Sequence, residues 1–294
     1  MQMVMRQGEE HSPATKTPRL ARNFDAVTQG GVLGRIGPLE VRLARDAAEI
    51  AAVQEVRFRI FYEELGARMK PEQRAARDCD RFDDVCDHLL VIDTTLPGPD
   101  HRRIVGTYRL LRQEVAARAG GFYSNDEFEL NALVARHPGQ RFLELGRSCV
   151  LKEHRSKRTI EVLWQGIYAY INHHKIDVMT GCASFHGTQP AAHAEALSYL
   201  AHYCRTEPEW DVRAVVGRYR SMDLMPREAI NPRAAITALP PLIKGYLRVG
   251  AKIGNGCVID HEFSTVDVFI VMPVAEIGAR YINYYGAEAD RFAA

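Results

Sequence analysis

The sequence predicts a mixed α/β (α+β) fold in which helices flank a central sheet. Short apolar runs with the strand period of two alternate with longer stretches of helical period, and Gly- and Pro-rich turns separate them. A length of 294 residues, 46% of them hydrophobic, is enough to bury a sizeable core. Residues 1–38 mix Gly, Pro, Thr, Gln and charges without a sustained period and close on Gly30-Gly31 and Gly37-Pro38, so they read as a flexible N-terminal extension. From Asp46 to Leu65 the residues Ile50, Val53, Ile60, Phe61 and Leu65 fall near helical spacing, with Asp46 able to cap the start and Gly66 to end it. His88 to Asp93 and Ile104 to Leu111 read as strands of a hairpin turned by Leu96-Pro97-Gly98-Pro99. Arg141 to Leu151 is a further strand in which Gly146 marks a bulge. A helix with Ile160, Leu163, Trp164, Ile167 and Ile171 on one face follows. Next come a strand over Asp177 to Phe185, a turn at Gly187 and a helix from Pro190 to Tyr203. After Pro240 a short helix precedes two strands, Gly256 to Asp260 and Thr265 to Val271, which can extend the same sheet.

Charge narrows the classes of function. Lys and Arg number 38 against 37 Asp and Glu, a net of +1, so nothing global points to nucleic acid, and no nucleic-acid motif is present. The longest uncharged apolar run, Val268 to Ala275, has eight residues. That is far short of the roughly 20 that cross a bilayer. Met1 to Gln7 lacks a signal-like apolar core, so a cytoplasmic location is expected. Six cysteines without a Cys-x-x-Cys pair read as reduced thiols rather than a zinc site or disulfide framework. No histidine is assigned to a metal.

The near-neutral total hides two opposed patches. Asp78 to Asp87 carries five carboxylates and one arginine in ten residues, without the glycine and terminal glutamate of a calcium loop. It is either a solvated loop or, with Phe82 packed inward, the edge of a pocket. Arg147, Lys152, Arg155, Lys157 and Arg158 gather in twelve residues opposed by Glu153, where a strand passes into a helix. Backbone N–H groups at a helix start favour an anion, so a phosphate-bearing ligand is one reading and a solvated helix start the other. Glu144 and Arg147 lie three apart in a strand that otherwise reads as buried, as either a structural ion pair or part of a site.

The stretch Val150-Leu151-Lys152-Glu153-His154-Arg155-Ser156-Lys157-Arg158-Thr159-Ile160 resembles the pyrophosphate loop of the GNAT acyltransferase superfamily, where a strand opens into a helix. Arg158 and Ile160 stand where that loop has small residues. This favours the single phosphate of an acyl carrier protein's phosphopantetheine over coenzyme A. Arg57-x-x-x-Phe61, Asp80-x-Phe82-Asp83, Arg109-Leu110 and Glu144-x-x-Arg147-Ser148 are similar in order and spacing to motifs of the acyl-homoserine-lactone synthases. The phrases FRIFYEELGA, DRFDDVCDHLLVID, VGTYRLLRQE, GGFYSNDEFEL, LELGRSCVLKEHRSKRTIEVLWQGIYAYI and LPPLIKGYLRVGAKIGNGCVID resemble the bacterial L-ornithine N-alpha-acyltransferases of ornithine lipid synthesis, from about Val41 to Ile270.

That resemblance implies a GNAT-like fold with a mostly antiparallel mixed sheet, in one domain over 39–285 with a tail at 286–294. It implies transfer of a 3-hydroxyacyl group from acyl carrier protein to the α-amine of L-ornithine, giving lyso-ornithine lipid, with no bound cofactor. Glu144 is then the general base, and Arg147 holds it or the donor. Backbone N–H groups of Cys149, Val150 and Leu151 face the thioester carbonyl. Lys152, Arg155, Lys157 and Arg158 take the phosphopantetheine phosphate and the acidic carrier. Arg57, Phe61, Asp80, Asp83 and Arg109 shape the pocket, the two acids either pairing with the arginines or receiving a substrate ammonium. A lipid product adds peripheral contact with the inner membrane. A lactone-signal synthase and a non-enzymatic, membrane-acting hemolysin-like protein are the competing readings.

Overall fold

Strand alternation sorts the apolar residues of this chain onto two faces of one sheet. In β3 (Asp87–Asp93), Leu89 and Val91 point into one core while Leu90 and Ile92 point into another, so the strand is buried on both sides. A computed structural model describes residues 31–69 and 76–277. It holds β1 (Gly34–Ile36), β2 (Leu39–Leu43), β3, β4 (Ile104–Arg112), β5 (Phe142–Val150), β6 (Val178–His186), β7 (Lys252–Asp260) and β8 (Thr265–Pro273) in the spatial order β1-β2-β3-β4-β5-β6-β8-β7. Every neighbouring pair is antiparallel except β5 with β6, which run parallel. The predicted mixed, mostly antiparallel sheet with flanking helices is therefore the fold observed.

Helix α1 (Ala47–Phe58) packs Ile50, Val53 and Val56 against Leu90, Ile92 and Ile104, and Asp46 caps it by accepting the Glu49 N–H. On the opposite face lies α4 (Lys157–His174), capped by Ser156, with Val162, Leu163 and Ile167 on Val41, Leu89 and Leu143. Gly166 lets α4 lie on β2, since a Cβ there would come within 2.6 Å of Val41. Ile160 does not belong to this face. It is half exposed, and Val162, Ala169 and Tyr170 supply the burial instead.

Other boundaries move for physical reasons. The extension drawn to residue 38 includes β1, a three-residue strand too short to show a period, joined to β2 through Gly37 at φ +58°. Residues 1–30 of that extension and the tail at 286–294 lie outside the described residues. The helix expected to Leu65 leaves α geometry at Phe58 and widens into a π segment, Arg59–Glu64, sealed by Leu65 N–H to Ile60 O at 3.0 Å. Helices α2 (Gln113–Arg118), α3 (Leu130–Arg136) and α6 (Pro232–Ala238) are six or seven residues each and gave no readable period. The other two helices, α5 (Ala194–Tyr203) and α7 (Pro241–Val249), lie where the sequence predicts them.

The parallel pair opens the sheet. β5 and β6 are in register only over Phe142–Glu144 and Val178–Thr180. At the next step a Cβ on Gly181 would sit 2.2 Å from the Leu145 carbonyl oxygen, so only glycine allows the two backbones to part this closely. Gly181→Ala is expected to destabilise the fold by about 1–3 kcal/mol. Urea denaturation measures it, and an unchanged midpoint would contradict the crossing as described.

Candidate active site

Where β5 and β6 diverge, a cavity of about 260 Å³ lies between Leu145 to Ser148 on one strand and Cys182 to Ser184 and His186 on the other. Glu144 opens onto it and is only 3% exposed. It is held by the loop before α3: the backbone N–H groups of Tyr123 and Ser124 each donate to it at 2.8 Å, and the Ser124 hydroxyl donates as well. Burial raises its pKa above the ordinary carboxylate value, and these donors only partly oppose the shift.

The bulge sits one residue beyond the predicted glycine. Arg147, in the left-handed region at φ +49°, shares with Ser148 the place opposite Tyr108, since Gly146 pairs with Arg109 and Cys149 with Thr107. The extra residue resets the alternation, so Arg147 reaches the side occupied by Glu144. It does not pair with Glu144. Its guanidinium lies between the rings of Tyr123 and Phe263, 4.8 and 4.6 Å from their centroids, and bonds Asp78 at 3.0 Å and Asp80 at 3.2 Å.

The acidic stretch is thus neither a solvated loop nor a free cation receptor. Arg57 grips Asp83 through two bonds of 2.9 and 2.7 Å and contacts Asp78 at 2.8 Å. Arg109 reaches Asp80 at 2.7 Å and Asp83 at 3.1 Å. Three arginines and three aspartates, Asp78 among them, form one buried network behind the cavity. Burial opposes ionisation, yet Arg109 and Arg147 hold Asp80 below its usual range, and Arg57 does the same for Asp83. Of the two roles left open for Asp80 and Asp83, the geometry fits pairing with arginine. Arg109 and Phe61 line the cavity, and Phe61 meets Phe263 edge-on at 5.6 Å. With Leu65 and Leu242, both more than a third exposed, these rings make an apolar mouth.

The basic stretch divides. Arg155 is committed to structure: its Nε donates to the Val150 carbonyl at 3.0 Å, and its two terminal nitrogens grip Glu64 at 2.6 and 2.7 Å. It ties the start of α4 to the π segment and is not aimed at a phosphate. Lys157 is exposed beside Glu161 at 3.3 Å, and Lys152 and Arg158 are exposed. Leu151 leaves the oxyanion set because its N–H donates to the Val105 carbonyl. Ladder alternation then turns Val150's N–H away from β4, and its carbonyl accepts Arg155 on that side. Cys149 is buried and pairs with Thr107.

Two groups escaped the sequence reading. Tyr246 of α7 lines the cavity, its hydroxyl 3.1 Å from that of Tyr108. Glu127, Asp260 and Asp267 bring carboxylate oxygens within 4.8 Å of one another, and Asp260 and Asp267 line the cavity. No local motif could reveal them, because 133 residues separate Glu127 from Asp260. Among the described residues no helix is long and apolar enough to cross a membrane.

The family described as acetyltransferase (GNAT) domain matches residues 56–165, from the end of α1 into α4. Among solved structures, FeeM, an N-acyl amino acid synthase from uncultured soil microbes, aligns over 81% of this chain and 92% of its own at 10% identity and a TM-score of 0.46. The acyl-homoserine-lactone synthase LasI aligns over 84% and 95% at 11% identity and a TM-score of 0.44. An L-ornithine N(alpha)-acyltransferase of Brucella abortus is 60% identical over 273 residues, 92% of this chain and 96% of that protein. One of Rhizobium meliloti is 58% identical over 92% of each. On sequence identity carried through nearly the whole length of both relatives, this chain, with its GNAT-like fold, is an acyltransferase and belongs to the L-ornithine N(alpha)-acyltransferase family.

Proposed function

We infer that the protein transfers a 3-hydroxyacyl group from the phosphopantetheine thioester of acyl carrier protein to the α-amine of L-ornithine, forming lyso-ornithine lipid. The observation that carries this reading is a buried carboxylate of raised pKa, Glu144, facing a cavity between two parting strands. In the proposed mechanism Glu144 accepts the proton of the ornithine ammonium or amine, directly or through one water. The freed nitrogen attacks the thioester carbonyl, and a backbone N–H on β5, that of Val150, stabilises the developing oxyanion. The intermediate collapses, the C–S bond breaks, and the pantetheine thiolate leaves with a proton. Arg109 and Arg147 position the wall around Glu144 through the aspartate network, and the acyl chain lies along Phe61, Leu65, Leu242 and Phe263.

The acidic carrier docks on Lys152, Lys157 and Arg158 at the start of α4, on the cytoplasmic side of the membrane. Exposed Leu65, Ile236 and Leu242 serve peripheral contact as the product leaves for the bilayer. Incubating the protein with 3-hydroxyacyl carrier protein and a panel of amino acids, then weighing the extracted lipids by mass spectrometry, tests the reaction. A mass equal to acylated ornithine is expected; its absence with an intact donor would overturn the reading.

Docking is tested separately. Lys152→Glu with Arg158→Glu is expected to raise KM for acyl carrier protein by about tenfold at low salt, less at high salt, with kcat little changed. A salt-independent KM equal to that of the unaltered protein would remove this surface from the docking site. Arg155→Ala is expected to cost about 0.5–1 kcal/mol of stability through the loosened Glu64 and Val150 contacts, both solvent-exposed, as measured by urea denaturation.

A further inference from the structure

The three acids behind the cavity are assigned no part in the acyl transfer above. Glu127 follows the turn that holds Glu144, Asp260 ends β7, and Asp267 lies within β8. Glu127 is already answered: Arg218 donates to its Oε1 at 3.0 Å and the Cys182 thiol to its Oε2 at 3.4 Å. Asp260 Oδ1 accepts the N–H groups of Glu262 and Phe263 at 2.6 and 3.0 Å. Asp267 differs. It is 5% exposed, it lines the cavity, and its Oδ1 is buried without a hydrogen-bond partner. Burial and the nearby Glu127 hold its carboxyl up at about 7, and the Ser184 and Thr265 hydroxyls beside it only partly oppose the shift.

Ionised together, three carboxylates with one guanidinium carry an excess of negative charge between the cavity and a second cleft, which Glu127, Arg218 and Asp260 line. A cation stabilises such a group, and Asp267, with an unpartnered oxygen and a place in the cavity wall, marks the side from which it arrives. The cluster lies close to the base. Ser124 Oγ, bonded to Glu144, is 3.3 Å from Cys182 Sγ, which in turn contacts Glu127. A molecule with two amines, about 6 Å apart when extended, can present one to each carboxylate group. A primary ammonium carries three donors and a single charge, which fits an acid cluster already partly neutralised by Arg218 better than a dication would.

We propose that Asp260 and Asp267, backed by Glu127, receive the side-chain ammonium of the acceptor amino acid and make the enzyme select a diamino acid over a neutral one of equal length. The proposal rests on the ornithine reading above. Its test compares kcat/KM for L-ornithine and for L-norvaline, which has hydrogen in place of the distal amine, using full-length protein and 3-hydroxyacyl carrier protein. The unaltered enzyme is expected to prefer ornithine strongly, and Asp267→Asn to lower the ornithine-to-norvaline ratio by about tenfold to a hundredfold. A purely structural role would depress both substrates together and leave the ratio in place. If Asp267→Asn does not fold, Asp260→Asn is read in the same way.

A ratio unchanged in a folded variant overturns the proposal. So does an unaltered enzyme that acylates norvaline as readily as ornithine, a result that leaves the acyltransferase reading intact. Failure to acylate ornithine at all would instead sink that reading, and this proposal with it. Loss of ornithine preference in EDTA, restored by Mg2+ or Ca2+, would assign the trio to a metal ion and overturn the ammonium site.

Discussion

Glu144→Gln is expected to lower kcat for ornithine acylation by about two to four orders of magnitude while the affinity for acyl carrier protein stays within a few-fold. An amine cannot attack a thioester while it carries an ammonium proton, and glutamine cannot take that proton. Burial holds the Glu144 carboxyl above its ordinary range, which moves it toward the pH at which the enzyme works. The base acts only when ionised, so activity should climb with pH through that raised value. In the variant this ascending limb should vanish, leaving a low, flat profile. Glutamine is nearly the same shape, but its NH2 cannot accept the backbone N–H that each carboxylate oxygen takes from Tyr123 or Ser124, so a loss of about 1–3 kcal/mol is expected in a variant that still folds and keeps its docking surface. Thermal unfolding checks the first and binding of the apo-carrier the second. Turnover near that of the unaltered enzyme would remove Glu144 from the proton path.

How much of this site could be read in the sequence depended on the range of the contacts. Helices α1 and α4 and the hairpin of β3 and β4 were legible because amphipathic period, caps and turn residues are local. Glu144, Arg147, Phe61 and Arg109 were legible as candidates because motif spacing singled them out, and all four line the cavity. What each charge pairs with was not legible. Arg147 pairs with Asp78, 69 residues away, because the bulge re-aims it, and a pattern of alternation cannot foresee a residue at φ +49°. Arg155 looked like a phosphate ligand by composition, yet Glu64, 91 residues away, takes its guanidinium. The acid trio needs β7, β8 and the loop before α3 together. Of the three functional readings open at the start, family membership selects the acyltransferase.

Arg57→Met is expected to destabilise the protein by about 3–5 kcal/mol, the largest loss of stability of any single change considered, although Arg57 does not line the cavity. Its guanidinium is fully buried and answers two buried acids, Asp78 and Asp83. Methionine fills much of the volume but removes the guanidinium that bridges the two carboxylates, leaving Arg109 and Gln54 on Asp83 and Arg147 on Asp78. The loss should depend on pH with a sign that the fold dictates. Arg57 lowers the Asp83 pKa, so that ion pair stabilises the protein above the unfolded carboxylate value of about 4 and ceases to do so as acid protonates the folded carboxylate. His88, beneath the same network, is buried neutral with its pKa lowered to about 4, against about 6.5 when unfolded. The unfolded chain therefore takes up a proton first, and stability falls by roughly 3 kcal/mol between those values as pH drops. Both groups act in the same direction but in different windows: His88 makes the urea midpoint of the unaltered protein decline from pH 7 to pH 4, and Asp83 adds its loss below pH 4. Arg57→Met should already start low at pH 7 and fall less steeply below pH 4. A midpoint at pH 7 equal to that of the unaltered protein would show that the network holds its aspartates without Arg57, and it would then be a property of the active-site wall rather than of the fold.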